Sequence, residues 1–189
     1  MRRLTSWIRC ALIRFVNASD GPGHWDHARA NANICIHETA RVAPTARLYS
    51  NGGGTIRIGE NVEICDGVIL ATYGGTIDLG ANVFVGPYSV IYGHGGLTIG
   101  RDTMVAAHTV IIPANHVFAD NTHAIRGQGE TRMGIEIEED VWVGAGARIL
   151  DGTRISRGSV IGAGSVVRDS VPANSVVVGV PARVVRTRE

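Results

Sequence analysis

The sequence contains no lysine: all 18 of its basic residues are arginine. Chemistry that runs through a lysine amine, Schiff bases included, is therefore excluded. Aromatic residues are also scarce, with three Trp, four Tyr and three Phe among 189 residues. Something other than ring packing must fill the core. The three cysteines, Cys10, Cys35 and Cys65, are odd in number, widely spaced and without a CxxC pair. That pattern argues against a disulfide framework and a zinc site, and it fits a reduced, cytoplasmic setting. No run of eighteen apolar residues occurs, and Arg9 and Arg14 interrupt the N-terminal apolar segment. Neither a membrane span nor a signal peptide is expected from such a chain. A formal net charge of +1, with no RNP-type, finger or basic-region pattern, gives no reason to expect nucleic acid. There is also no GxSxG nucleophile elbow.

What the chain does have is 44% hydrophobic residues, too many for disorder, and 25 glycines, nearly twice the usual share. Residues 1–34 read as an N-terminal unit. Leu4, Trp7, Ile8, Ala11, Leu12, Phe15 and Val16 recur at steps of three and four, with Arg2, Arg3, Arg9 and Arg14 off the stripe. This spacing predicts an amphipathic helix over residues 3–16. Its apolar face suits packing on the protein or a neighbouring subunit, and equally a peripheral contact with a membrane surface, where an Arg-flanked face with Trp and Phe is at home. The connector that follows holds His24, Trp25, Asp26 and His27; a loop cluster with no further ligands is not expected to hold metal.

The informative feature is a period of six. From Ile137 onward, Ile137, Val143, Ile149, Ile155, Ile161 and Val167 follow at constant spacing, all β-branched. A chance run of this kind has odds of roughly one in four thousand. Four residues after each come Val141, Ala147, Thr153, Ser159, Ser165 and Val171, small or β-branched throughout. A six-residue period fits neither a helix nor a hairpin. It fits a chain that runs straight for a few residues and turns a corner, three times per coil, with an aliphatic side chain pointing inward at each corner. Upstream the same grammar gives Ile58, Ile64 and Leu70, then Leu79, Val85 and Ile91, then Ile99, Val105 and Ile111. There the coils are slightly longer, and the surplus coincides with the pairs Gly74–Gly75 and Gly95–Gly96. Between Ile111 and Ile137 a loop, residues 113–134, leaves the coil. Nothing in the coil requires it, which marks it as functional.

The stretches Pro113 to His116 (PANH), Asp140 to Gly146 (DVWVGAG), Val160 to Ser165 (VIGAGS) and Gly179 to Val184 (GVPARV) resemble the hexapeptide-repeat acyltransferases, within them the maltose and galactoside O-acetyltransferase-like group. The loop resembles the branch that acetylates sugars in capsule, exopolysaccharide or lipopolysaccharide pathways. The resemblance implies an all-β fold, a left-handed parallel β-helix of hexapeptide repeats over residues 35–186 with one protruding loop and a short tail, 187–189. It implies an O-acetyltransferase that moves an acetyl group from acetyl-CoA, as co-substrate, to a hydroxyl of a sugar or glycoconjugate. It further implies a homotrimer whose donor lies in the groove between two β-helices, in the cytoplasm or at the inner face of the cell membrane.

By the same resemblance His116 is the catalytic residue. A histidine can take a sugar hydroxyl's proton near neutral pH, so no acyl-enzyme is needed. Ala145 and Ala163 match main-chain contacts to the pantetheine arm, Trp142 a tryptophan beside the reacting groups, and Arg183, assisted by Arg186, a basic residue near the phosphates of CoA. Many relatives carry Thr-Lys-Asp where this chain has Arg168, Asp169 and Ser170, so the lysine position holds an acid and Arg168 is the candidate for the missing charge. Asn115 and Tyr88, with Ser89 and His94 nearby, are candidates on the acceptor side. No metal is expected. The rival readings are a small xenobiotic or other non-sugar acceptor, a carbonic anhydrase-like zinc enzyme using His108, His116 and His123, and a non-catalytic β-helix scaffold.

Overall fold

The computed structural model describes residues 33–189. The readings made on residues 1–32, the amphipathic helix and the histidine cluster among them, lie outside the described residues.

Within the coils, from Ile34 to Val167, strands of two to four residues alternate with tight turns. Parallel strands cannot be joined by a hairpin, so each strand must find its partner one coil later, which is what a six-residue period repeated three times provides. Six coils result, at residues 34–49, 55–71, 76–92, 97–112, 135–150 and 154–167. Every coil contributes one strand to each of three parallel sheets. The register stacks like on like: Ile58, Leu79, Ile99, Ile137 and Ile155 form one column of the first sheet. Ile64, Val85, Val105, Val143 and Ile161 do the same in the second. Leu70, Ile91, Ile111, Ile149 and Val167 complete the third. All are buried in one continuous core, and each such side chain contributes about 1.5–3 kcal/mol by leaving water.

The inward aliphatic positions prove to lie on the strands and not at the corners. A corner is made by the second and third residues after each aliphatic, and the third takes the left-handed conformation: Asp140, Gly146, Gly152, Gly158 and Gly164. The small fourth residues, buried at every repeat, fill the space where the next strand begins. At the corner between the first and second sheets asparagine supplies the left-handed residue in the second and third coils and aspartate in the fourth and fifth. There Asn61 Nδ2 donates to Asn82 Oδ1 (3.3 Å), and Asn82 Nδ2 donates to Asp102 Oδ1 (2.8 Å). The glycine doublets sit at the corner between the third and first sheets. A Cβ on Gly75 would collide with the Gly93 carbonyl oxygen, so the coils can approach there only through glycine.

The outer faces differ. The first sheet carries charged pairs, Arg57 with Asp78 (3.1 Å) and Arg154 with Glu136 (3.2 Å). The third presents Ile69, Val90, Val110, Ile112 and Val166, all half-buried, with exposed Arg47 and Arg148 on the same outward face. After the sixth coil, Ser175–Gly179 and Ala182–Thr187 fold back as an antiparallel pair on the end of the second sheet. Among the described residues no helix is long and apolar enough to cross a membrane.

Candidate active site

The chain leaves the fourth coil after Ile112 and rejoins at Ile135. The stack ignores the interruption, because Leu97 pairs with Ile135 and Ile111 with Ile149 in unbroken register. The two stems of the loop pair antiparallel, setting Asn115 opposite Thr131 and His116 opposite Glu130. The ladder fixes a histidine beside a carboxylate: His116 Nδ1 lies 3.9 Å from Glu130 Oε1. Glu130 Oε2 accepts from Arg132 Nε (3.2 Å) and Nη2 (3.0 Å). The Arg132 hydrogen bond holds the Glu130 carboxyl below its ordinary range, with the neighbouring His94 and His116 adding to the effect.

Two polar devices hold the loop. At its tip, Asp120 accepts from Thr122 N (2.8 Å) and Thr122 Oγ1 (2.6 Å) and pairs with His123 Nδ1 (2.8 Å). The Gln128 side chain accepts from Asp120 N and donates to Asp120 O and His123 O. At its base, Asp151 accepts from Thr131 Oγ1 (2.9 Å), Met133 N (2.9 Å) and Gly134 N (3.0 Å). On the coil below, Gly95 N donates to Pro113 O (3.0 Å), and Arg132 Nη1 reaches across to Tyr73 O (3.2 Å). His94 lies beneath this arginine, stacked on Tyr73 with centroids 4.5 Å apart, and its buried Nδ1 has no hydrogen-bond partner. Burial first, and Arg132 second, push its pKa down, so it is neutral near pH 7. His116, Arg126, Gly129, Glu130 and Arg132 line an open pocket of about 280 Å³.

Other predicted residues stand elsewhere. Ala145 and Ala163 are exposed at the corner between the second and third sheets, next to Gly146 and Gly164, above which a Cβ would meet nothing within 4 Å. In these two coils the tip of that edge is bare backbone. Tyr88 and His108 stack on the same edge, centroids 5.6 Å apart, both with positive φ. Tyr88 therefore lies on a different edge from Asn115. Ser89 is fully buried, its Oγ donating to Ala106 O (3.1 Å). Trp142 stands on the outer face of the second sheet beside Met104, half exposed. Arg168 and Arg183 do come together: Asp169 Oδ2 lies 3.6 Å from Arg168 Nε and 3.2 Å from Arg183 Nη1. The three line a second pocket of about 260 Å³. The acid at the lysine position thus draws two guanidinium groups to one place. Among the described residues no three His, Cys, Asp or Glu side chains converge as metal ligands.

One chain thus carries the His116 edge and the Ala145–Ala163 edge on either side of the largely apolar third sheet. Sequence reasoning did not single out Glu130, Arg132 or Asp151. Glu130 is set by the pairing of two loop stems, and Asp151 reads in sequence as an ordinary Asp-Gly turn.

Residues 134–169 match the family described as bacterial transferase hexapeptide (six repeats). The chain is 35% identical to WbbJ of Escherichia coli (strain K12), which carries the name of a putative lipopolysaccharide biosynthesis O-acetyl transferase; the match covers 73% of this chain and 74% of that protein. Among solved structures, a maltose O-acetyltransferase from Clostridium difficile 630 is 25% identical, with a TM-score of 0.58 over 87% of this chain and 74% of that one. A mutant of AntD, an N-acyltransferase from Bacillus cereus, solved with dTDP-4-amino-4,6-dideoxyglucose and Coenzyme A, is also 25% identical. Its TM-score is 0.67, over 83% of this chain and 81% of that one.

Proposed function

This chain belongs to the hexapeptide-repeat acyltransferase family, and on that premise we propose that it moves an acetyl group from acetyl-CoA to a hydroxyl of a sugar or glycoconjugate of a capsule, exopolysaccharide or lipopolysaccharide pathway. The observation that carries the reading is the ladder pair of His116 and Glu130 on a loop tied at tip and base. With Nδ1 turned to the carboxylate, Nε2 is the free base of the imidazole. It takes the proton of the acceptor hydroxyl as that oxygen attacks the thioester carbon. The tetrahedral intermediate then collapses, the carbon–sulfur bond breaks, and the imidazolium returns its proton to the departing CoA thiolate. Glu130, kept ionised by Arg132, stabilises the imidazolium while it lasts. Transfer is direct, and no acyl-enzyme forms.

The donor runs along the bare edge at Ala145 and Ala163, with Arg168 and Arg183 at its phosphate end. Trp142, on the outer face of the second sheet, stands beside the donor. Asn115, on the loop stem next to His116, and Tyr88, on the donor edge, face the acceptor. A guanidinium pair sharing one carboxylate keeps a net positive charge for a phosphate. Because the histidine edge and the donor edge flank the third sheet, one chain does not bring them face to face. A homotrimer closed through that apolar sheet supplies the missing half, the histidine loop of one copy meeting the donor edge of the next. The Arg-flanked apolar stripe over residues 3–16 supports docking at the inner face of the membrane, near lipid-linked acceptors.

The test is acceptor-dependent release of CoA thiol from acetyl-CoA over a panel of free glycosides, nucleotide sugars and lipid-linked sugars. His116→Ala should lower turnover by about 10²–10⁴ with the oligomer intact. An unimpaired His116→Ala enzyme, or no thiol release with any acceptor, refutes the reading.

A further inference from the structure

We propose that the acceptor is anionic, a sugar bearing a phosphate or carboxylate, and that Arg126 reads its charge. This rests on the acetyl-transfer reading above and specifies its substrate class. Arg126 sits on the single-turn 3₁₀ helix Ile125–Gly127 and lines the same pocket as His116. It makes no ion pair or side-chain hydrogen bond to any described residue. The carboxylates nearby are already engaged. Glu130 is held by Arg132, Asp120 by Thr122 and His123, and Asp151 by the loop's returning stem. The pocket therefore holds two guanidinium groups against one carboxylate, and the uncompensated charge is that of Arg126.

The backbone that carries it is tied down. Gly127 N donates to Ala124 O (2.9 Å) and Gln128 N to Ile125 O (3.0 Å), while the Gln128 side chain ties the turn to Asp120 and His123. The turn sets where the arginine stem leaves the loop, and the planar fork of the guanidinium suits the oxygens of a phosphate or carboxylate. The floor on either side is open, since a Cβ on Gly127 or Gly129 would touch nothing within 4 Å. Arg47, Arg157 and Arg186 also lack ion pairs to described residues, but none of them lines the histidine's pocket.

CoA also carries phosphate, and the test separates the two sources of negative charge. Thiol release is followed with matched acceptors that differ only in charge: a neutral hexoside, its hexose phosphate, the corresponding uronic acid and a nucleotide diphosphate sugar. The wild type should favour the charged members by about tenfold or more in kcat/KM. Arg126→Gln should lower kcat/KM for the charged acceptors by about tenfold or more beyond any change with the neutral hexoside, without raising the KM for acetyl-CoA, and Arg126→Lys should keep part of the preference. A preference that survives Arg126→Gln overturns the proposal. So does a variant whose defect is a raised KM for acetyl-CoA, because the anion would then belong to the donor. Neutral hexosides turned over as well as charged ones, with no effect of Arg126→Gln, overturn this proposal alone; absence of thiol release with every acceptor overturns the acetyl-transfer reading beneath it.

Discussion

Asp151→Ala separates the loop from the scaffold. The carboxylate receives three donors from the returning stem, Thr131 Oγ1, Met133 N and Gly134 N. A hydrogen bond to a charged acceptor is worth about 1.5–3 kcal/mol at most, and less where water competes. Thr131 and Met133 are exposed, so about 0.5–1 kcal/mol each is reasonable, whereas half-buried Gly134 merits about 1.5. The sum is about 3 kcal/mol, equivalent to roughly a hundredfold fall in the ratio of docked to undocked stem. His116 stands on the partner stem, so its geometry against Glu130 suffers with it. We expect kcat/KM to fall about 10- to 100-fold. The melting temperature should move by no more than about 3 °C, because the register of the coils bypasses the loop. Hydrogen exchange at the Met133 and Gly134 amides should accelerate by a factor similar to the docking loss. Asp151→Asn, which can accept from one amide but presents an NH₂ to the next, should fall between. Exchange that accelerates while kcat/KM stays within about threefold of the wild type refutes the link between stem and chemistry. A drop in melting temperature of about 8 °C or more would instead place Asp151 in the core of the fold.

Acidification is expected to weaken the corner that carries His94. Its folded pKa lies below the ordinary 6.5, so below that value the unfolded chain takes up a proton that the folded chain refuses. Stability should therefore fall as pH drops through 6.5 and level off once the folded group protonates; urea midpoints from about pH 7.5 to 5 should show this slope, and His94→Phe should flatten it. An equal slope in His94→Phe would assign it to another group. Ile149→Ala, in a fully buried column between Ile111 and Val167, should cost about 2–5 kcal/mol by denaturant unfolding; a loss below about 1 would mean the column is not closely packed.

The solenoid was legible because its rule is local. An aliphatic at every sixth residue and a small residue four places on are enough to define three sheets, and the glycine doublets mark their own corners. The first coil obeys the same spacing at Ile36, Val42 and Leu48. Ile36 and Leu48 are only partly buried, and the repeat there lacks the flanking phrases that announce the later coils. The site of each turn was less legible. The left-handed residue can be Gly, Asn or Asp, and at one edge Tyr88 and His108, so composition does not give it away. His116 was legible from its position at the start of the loop and from resemblance. Its partners were not: Glu130 depends on which stem residues face one another, Asp151 on a turn one coil beyond the stem it holds, and the free charge of Arg126 on the pairing of every acid around it.

The register of the coils runs unbroken across the loop. Because the coils before and after it pair as neighbours, the segment from Pro113 to Gly134 behaves as a cassette. Its length and sequence can change without altering the spacing of the edge that carries Ala145 and Ala163. On the acetyl-transfer reading proposed above, the loop's share of acceptor choice is then separable from donor use, and a loop transplanted from another member between Ile112 and Ile135 should carry acceptor preference with it while the KM for acetyl-CoA stays as it is.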